Sequence, residues 1–246
     1  MIVYGGIMEV SNKKHFMKYL NSLKYLGCGS QGVCYLDIKS NKVIKIFHVY
    51  FDKEYDSVSE YDVMKFSDVV NSTFMWPIDV VKYKNHIIGY IMNYSKKKNL
   101  YKINPLGVDL NKFSSAINKT FVDINLLTER NIKIYDIMYN ILYSSGQFKV
   151  IDTLEYGNYD ISFDENRREF DLEIMYFLVD SYFDDFVNKD ILLKEMYLSK
   201  EVDCLEFLKR FRYKLSEFIG NDIVYLRDAK GLVKSNKNPR YVRELL

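Results

Sequence analysis

Residues 26–38 have the sequence LGCGSQGVCYLDI, in which Gly27, Gly29 and Gly32 follow the pattern G-x-G-x-x-G. Glycines at this spacing occur where a backbone approaches phosphate groups, and two kinds of fold use them. In a dinucleotide-binding fold a helix begins at the third glycine, so that its N-terminus faces the pyrophosphate. Here residues 33–38 continue with the pattern of a strand. The sequence therefore predicts a β-hairpin whose tip of glycines lies close to phosphate groups.

A lysine stands in the next predicted strand, within the sequence VIKIF of residues 43–47. An ammonium group in a strand that is otherwise apolar is costly to bury unless a carboxylate pairs with it. The helix predicted over residues 53–68 offers Glu60, which has apolar residues behind it at helical spacing. Glu54 is an alternative partner, because sequence alone does not fix the helix register. We therefore expect Lys45 to form a buried ion pair with a glutamate of this helix.

The pattern along the rest of the chain changes from strands to helices. Strands are predicted at 78–83 and 87–92, so the first domain, residues 1–94, is expected to be an antiparallel sheet with one helix. The second domain, residues 95–246, is expected to be mainly helical. Its predicted elements are a helix at 110–127 capped by Asp109, short strands at 141–143 and 148–151, a buried helix at 168–186, and a helix at 205–218 ended by Gly220. The predicted fold class is α+β.

The amino-acid composition restricts the cellular compartment and the kinds of binding partner that we expect for this protein. The 246 residues are 48% hydrophobic, and the three cysteines are an odd number without the spacing of metal ligands. No apolar run reaches the roughly 18 residues of a membrane helix, and the N-terminus does not resemble a signal peptide. We therefore expect a cytoplasmic protein without a zinc site or a membrane partner. The net charge of +2 does not favour nucleic acid. Six Lys or Arg lie within residues 227–246, which we expect to be a solvated end or a contact for an acidic partner.

The order of these segments resembles that of protein kinases. Lys45 stands where that family has the lysine that holds the phosphates of ATP, and Glu60 stands where it has the glutamate that pairs with this lysine. The resemblance also covers the segment IIGYIMNYS, residues 87–95, which is similar to the last strand and hinge of the adenine pocket. It implies that Cys34 packs on the adenine, that Met92 lies at the back of the pocket, and that Asn93 and Tyr94 lie at the hinge, although an ordinary strand end is a nearly equal interpretation of residues 92–94.

Two further segments, IKIYDIMYNIL at 132–142 and FKVIDTLEYG at 148–157, resemble the catalytic loop and the metal-binding segment of kinases. The resemblance implies that Asp136 accepts the proton of a substrate hydroxyl, and that Asn140 and Asp152 bind Mg²⁺. Asp171 resembles the buried aspartate that braces the catalytic loop, although an exposed acid near a helix start is an equal interpretation.

The chain also differs from the family at several of these positions. Ile134 and Tyr135 replace the His and Arg before the catalytic Asp, Met138 replaces a lysine, and Asn140 follows Asp136 by four residues rather than five. Without that arginine, control by a phosphorylated activation loop is not expected.

Three functions are compatible with these residues. The first is a two-lobed phosphotransferase that uses ATP and Mg²⁺ in the manner of a protein Ser/Thr kinase. The second is a pseudokinase that keeps the fold without turnover. The third is a small-molecule kinase, which needs no peptide-docking platform and suits the short segment after Asp152. The acceptor is therefore expected to be a protein or a small molecule with a hydroxyl group.

Overall fold

The computed structural model describes residues 2–4, 7–48, 58–199, 202–237 and 239. The chain has an α+β fold that divides into two compact units. Unit 1 comprises Met1–Val70, Met75–Lys96 and Asp152–Leu154; unit 2 comprises Asn71–Phe74, Lys97–Ile151 and Glu155–Leu246. Two short segments thus belong to a different unit from the residues on either side of them. The division into domains 1–94 and 95–246 stays a prediction.

Unit 1 contains a seven-stranded sheet. Its strands are β1 (Ile2–Tyr4), β2 (Ile7–Val10), β3 (Lys24–Cys28), β4 (Gly32–Asp37), β5 (Lys42–Phe47), β6 (Pro77–Tyr83) and β7 (His86–Asn93). Their order is β1-β2-β6-β7-β5-β4-β3. The strands predicted between residues 23 and 47 and over 78–83 and 87–92 are confirmed. The sheet is mixed rather than antiparallel, because β2 lies parallel to β6.

Two helices accompany this sheet among the described residues, where the sequence analysis expected one. The unpredicted helix is α1 (Lys13–Leu20), whose N-terminus is capped by the side chain of Asn12. Phe16 and Leu20 lie one turn apart on α1 and join the hydrophobic core of the sheet. The second helix, α2 (Glu60–Met64), is shorter than the predicted helix at 53–68. Glu54, the alternative partner of Lys45, lies outside the described residues.

Unit 2 is mainly helical, as predicted. Its helices are α3 (Leu110–Glu129), α4 (Phe163–Val179), α5 (Asp184–Lys189), α6 (Ile191–Ser199) and α7 (Cys204–Ile219). Its strands are β8 (Lys98–Asn99), β9 (Ile132–Lys133), β10 (Ile141–Ser144), β11 (Gln147–Val150) and β12 (Gly157–Asn158). Short 3-10 turns lie at Leu100–Lys102, Pro105–Gly107 and Leu226–Asp228.

The helix ends follow the capping signals in the sequence, with one correction. Asp109 caps α3, and Gly220 ends α7 with a φ of 77°. The helix predicted at 168–186 is wrong in its bounds. The helix begins at residue 163, because Ser162 and Glu165 form a capping box, and it ends at residue 179.

Aromatic side chains fill the core of unit 2. The ring of Phe113 on α3 lies 5.2 Å from that of Phe148 on β11 and 5.3 Å from that of Phe177 on α4. A buried carboxylate on α3, Asp123, accepts hydrogen bonds from the hydroxyls of Ser72 and Thr73 at 2.7 and 2.6 Å. These bonds attach the segment Asn71–Phe74 to unit 2. Within the part of the chain that the structure describes, no helix has the length and apolarity to cross a bilayer.

Candidate functional site

The glycine pattern forms the predicted hairpin between β3 and β4, whose strands pair antiparallel. The backbone N–H of Gly29 donates to the carbonyl of Gly32 at 2.9 Å and closes the tip. At Gly32 a Cβ atom would lie 2.2 Å from the carbonyl oxygen of Ile46, so the approach of β4 to β5 requires glycine there. Among the described residues, apart from the two chain neighbours of each glycine, no atom lies within 4 Å of a Cβ atom placed on Gly27 or Gly29. Packing against the described residues therefore does not explain these two glycines.

Four of the predicted site residues lie on one face of the sheet in unit 1. Lys45 on β5 pairs directly with Cys34 on β4 and with Tyr90 on β7. Directly paired residues point to the same face, and so do residues two positions apart on one strand. Gly32 and Met92 therefore share this face. The residues that flank Lys45 on β5 point the other way, into the hydrophobic core.

Lys45 is buried, with 4% of its surface exposed. Its Nζ forms an ion pair with the carboxylate of Asp152 and donates a hydrogen bond to Oε1 of Gln31 at 2.9 Å. The hydroxyl of Tyr90 donates to Oδ1 of Asp152 at 3.3 Å, and the ring of Tyr90 lies 5.7 Å from Nζ of Lys45. These contacts compensate the buried ammonium group, as the sequence analysis required. Sequence analysis missed Gln31 and Tyr90, although Gln31 lies within the glycine pattern itself.

The partner of Lys45 corrects one expectation. Glu60 does not pair with Lys45; its Oε2 lies 2.5 Å from Nζ of Lys82, and its side chain is 48% exposed. The reason is the position of α2, which begins at Glu60 and packs against β6, the strand of Lys82. A carboxylate in the first helical turn on this side reaches the partly exposed lysine of β6 rather than the buried lysine of β5.

Asp152 has a left-handed backbone conformation, with a φ of 61°. The residues on either side of it are fixed: the N–H of Ile151 donates to the carbonyl of Asn140 at 3.0 Å, and the hydroxyl of Thr153 donates to the carbonyl of Met75 at 3.1 Å. Non-glycine residues with positive φ are uncommon, and those held so by their surroundings are concentrated at functional sites. The conformation directs the carboxylate of Asp152 to Lys45.

The residues expected to contact adenine have mixed environments. Met92 is buried, and Asn93 accepts a hydrogen bond from Nζ of Lys42 at 2.6 Å. The N–H of Tyr94 donates to the carbonyl of Asn41 at 3.2 Å, so this donor is already used within unit 1. Burial raises the pKa of the Cys34 thiol to about 11. Cys34 is therefore a neutral thiol near neutral pH, and it offers a small apolar surface.

In unit 2, Asp136 lies on the exposed part of the loop 131–140, which follows α3. Asp136 and Tyr139 both have positive φ, 51° and 64°. The side-chain amide of Asn140 donates to the carbonyl of Asp136 at 2.8 Å and closes the loop. Because the nitrogen of the amide makes this bond, the amide oxygen is the atom with which Asn140 would bind a cation. Asp136 also lines a cavity of about 520 Å³ within unit 2.

Asn166 on α4 holds this loop, a function that sequence analysis did not assign to it. It is 2% exposed, accepts a bond from the N–H of Ile134 at 2.8 Å, and donates to the carbonyl of Ile132 at 2.9 Å. Glu169, one turn further along α4, accepts from the N–H of Ile137 at 3.3 Å. Nothing in the spacing of Asn166 from the loop identifies it, because the contact joins residues more than thirty positions apart.

Asp171 corrects a second expectation. It is buried, but its carboxylate pairs with Arg167 and accepts from the N–H of Cys204 at 2.9 Å. Asp171 therefore braces the start of α7 rather than the loop of Asp136. Burial raises the pKa of Asp171, against the opposing effect of these hydrogen bonds.

The predicted magnesium ligands fit the preference of this ion. Among the described residues no group of three or more His, Cys, Asp or Glu side chains is arranged to hold a metal. Magnesium in phosphotransferases is held by one or two side-chain oxygens together with the phosphates of the nucleotide, so such a group is not required. The carboxylate of Asp152 and the amide oxygen of Asn140 are ligands of this kind.

In comparisons with known proteins, no family model matches this chain, and no curated protein matches it either. The assignment of a function therefore depends on the residues of the chain itself.

Proposed function

We propose that units 1 and 2 are the two lobes of a protein-kinase-like fold, and that the chain transfers a phosphoryl group from ATP to a hydroxyl. The buried pair of Lys45 and Asp152 carries this proposal. It lies on the same sheet face as Cys34 and Met92, and it is joined to the glycine hairpin through Gln31. A structural lysine would be less costly as a methionine or leucine, because burying an ion pair rarely gains stability over an apolar pair.

Unit 1 would bind the nucleotide. An ammonium group has three N–H donors, and Asp152 and Gln31 take two of those of Lys45, so a phosphate oxygen would take the third. Gly27 and Gly29 let the hairpin backbone approach the phosphates, which gives these glycines the function that packing does not. Cys34 and Met92 offer apolar surface to adenine. Asp152 and Gln31, rather than Glu60, orient Lys45 in this proposal.

Asp152, in unit 1, would bind Mg²⁺, which would neutralise part of the triphosphate charge, and Asn140, in unit 2, offers an amide oxygen suited to the same ion. Asp136 would accept the proton of the acceptor hydroxyl while the oxygen attacks the γ-phosphorus and ADP leaves. Its position is set by the bonds of Asn140 and Asn166 to the loop.

One observation favours a small acceptor over a protein. Only residues 153–162 separate Asp152 from the start of α4. Protein kinases dock their peptide substrates on the longer segment that lies at this point of the fold. The short segment therefore favours a small-molecule kinase over a protein kinase, with the same nucleotide chemistry and a different acceptor.

The test separates nucleotide binding from phosphoryl transfer. Asp136→Asn should leave binding of ATP with magnesium intact and lower transfer about a hundredfold or more, because Asp136 meets the acceptor and not the nucleotide. Asp152→Asn should weaken both. Binding is measured by calorimetry, and transfer by release of ADP and by label from radioactive ATP, with proteins and small hydroxyl compounds as acceptors.

The control variant is Asp160→Asn, which removes an exposed carboxylate of unit 2 and should change neither quantity. If the wild type and Asp136→Asn both bind ATP and both transfer only the same background amount of label to the acceptors, the chain is not a transferase. It would then be a pseudokinase. Absence of ATP binding to the wild type would exclude both.

A further inference from the structure

The cavity beside Asp136 has the size and lining of a ligand site. Its volume of about 520 Å³ lies within the range of small-molecule pockets, about 300 to 1,000 Å³. The loop 131–140 contributes Asp136, Met138 and Tyr139 to its wall. The other wall is formed by α4. Four residues of this helix line the cavity, and their spacing of three or four positions places them on one face of the helix. These are Glu169, Leu172, Glu173 and Tyr176.

Both walls of the cavity carry acidic and apolar side chains. The lining contains three carboxylates, those of Asp136, Glu169 and Glu173, and no Lys, Arg or His. Two tyrosine rings, a methionine and a leucine complete it. Within the described residues these carboxylates do not form a group that could hold a metal ion. Carboxylates spread around a cavity of this size instead suit an organic cation, whose amines pair with them while its carbon skeleton packs on the rings.

We propose that this cavity binds the acceptor, and that the acceptor is a small hydroxyl compound with one or more amine groups. This inference rests on the proposed transfer of a phosphoryl group, since it places the hydroxyl at Asp136. Glu173 and Glu169 fix the orientation of the acceptor through its amines. Glu169 also accepts a bond from the N–H of Ile137, so its substitution can disturb the loop as well as the ligand, and both glutamates are tested.

The experiment measures binding to the full chain by calorimetry, without nucleotide, for matched pairs of a charged and a neutral compound. The pairs are diaminopropanol with glycerol and glucosamine with glucose, at a pH where the amines are charged. The charged member should bind at least about tenfold tighter, and Glu173→Gln should remove about tenfold of that preference without changing the neutral member. Added salt should weaken only the charged member.

Two further variants keep the test decisive. Glu169→Gln should act in the same direction as Glu173→Gln, with the melting temperature checked for each. Glu195→Gln, which removes an exposed carboxylate of α6 away from the cavity, should change nothing. Equal binding of charged and neutral members, or no effect of Glu173→Gln, overturns the inference. Binding of a serine peptide flanked by arginines, without binding of the free amines, also overturns it in favour of a protein substrate.

The two proposals can fail separately. If the amines bind through Glu173 but ATP is not consumed with any of them, the cavity is a cation site and the transferase proposal fails. If phosphoryl transfer is found but is the same for charged and neutral acceptors in the wild type and in Glu173→Gln, the transferase stands and the cavity inference fails.

Discussion

Removing the two partners of the Lys45–Asp152 pair, singly and together, tests the feature on which the proposed function depends. In Lys45→Met the carboxylate of Asp152 loses its partner, but 28% of the Asp152 side chain is exposed and water can solvate it. We therefore expect the free energy of unfolding to fall by about 1 to 2 kcal/mol. Asp152→Asn leaves a lysine whose side chain is only 5% exposed without a counter-charge. Removing one partner of a fully buried ion pair lowers the free energy of unfolding by about 3 to 5 kcal/mol. Because Gln31 still accepts a hydrogen bond from Lys45, we expect Asp152→Asn to lower it by about 2 to 3 kcal/mol.

The double variant has neither charge, so its loss should be only about 1 to 2 kcal/mol. The coupling energy between Lys45 and Asp152 is then about 2 to 3 kcal/mol. Asparagine tolerates the left-handed conformation at position 152, so backbone strain does not confound the comparison. The free energies of unfolding come from urea denaturation, with the slope compared among variants to verify that the same surface is exposed.

Two other double-mutant cycles, each with two single variants and the double variant, serve as controls. The pair of Lys82 and Glu60 is more exposed, with 26% and 48% of the side chains accessible, and its coupling should be below about 1 kcal/mol. Lys45→Met and Glu60→Gln should be additive within about 0.5 kcal/mol, because these residues do not pair. Additive losses for Lys45 and Asp152, or strong coupling between Lys45 and Glu60, would refute the arrangement on which the proposal is built.

Four shorter predictions follow from the same site. ATP with magnesium at about a hundred times its dissociation constant should raise the melting temperature by about 5 to 10 °C, and Lys45→Met should remove most of this rise in a thermal-shift assay. Calorimetry with a chelator should find that Asp152→Asn binds magnesium-free ATP more tightly than the wild type, because a carboxylate that repels the phosphates is gone. Gly32→Ala should lower the urea midpoint strongly, whereas Gly27→Ala should leave it nearly unchanged and weaken ATP binding, because only position 32 is closed by a neighbouring backbone. At pH 8, alkylation of Cys34 followed by mass spectrometry should be about a hundredfold slower than for an ordinary thiol, because a pKa of about 11 is about two units above the usual value; a rate like that of an exposed thiol would contradict its burial.

Local signals in the sequence predicted much of the fold. The glycine hairpin, the strands of VIKIF and IIGYIMNYS, and helix α3 with its cap depend on residues close together in the chain, and each is found. Helix α1 is not predicted, although it has such signals too, in the cap Asn12 and in the spacing of Phe16 and Leu20. Strands β1 and β2, which precede α1, are not predicted either, so the predicted sheet lacks two of its seven strands.

The contacts of the candidate site could not be predicted in the same way. The sequence indicated that Lys45 needs a carboxylate, but the choice between Glu60 and Asp152 depends on which strand α2 packs against. The two acids lie 15 and 107 positions from Lys45, and sequence distance favoured the wrong one. Similarly, Asn166 and Asp171 are both buried on α4, and only the packing of the helix decides which of them meets the loop.

Two of the departures of the loop from the kinase pattern, at positions 134 and 135, have a physical explanation in the packing of unit 2. Ile134 is 3% exposed and packs in the core, and its N–H is bonded by Asn166. The ring of Tyr135 lies 6.0 Å from that of Tyr159, and Nζ of Lys133 lies 4.8 Å from the ring of Tyr135. In a kinase with an arginine at position 135, a phosphate on the activation segment would supply the counter-charge that orders the loop. Here the packing of Ile134 and Tyr135 and the buried amide of Asn166 hold the loop, so we expect the position of Asp136 not to depend on phosphorylation of the segment that follows Asp152.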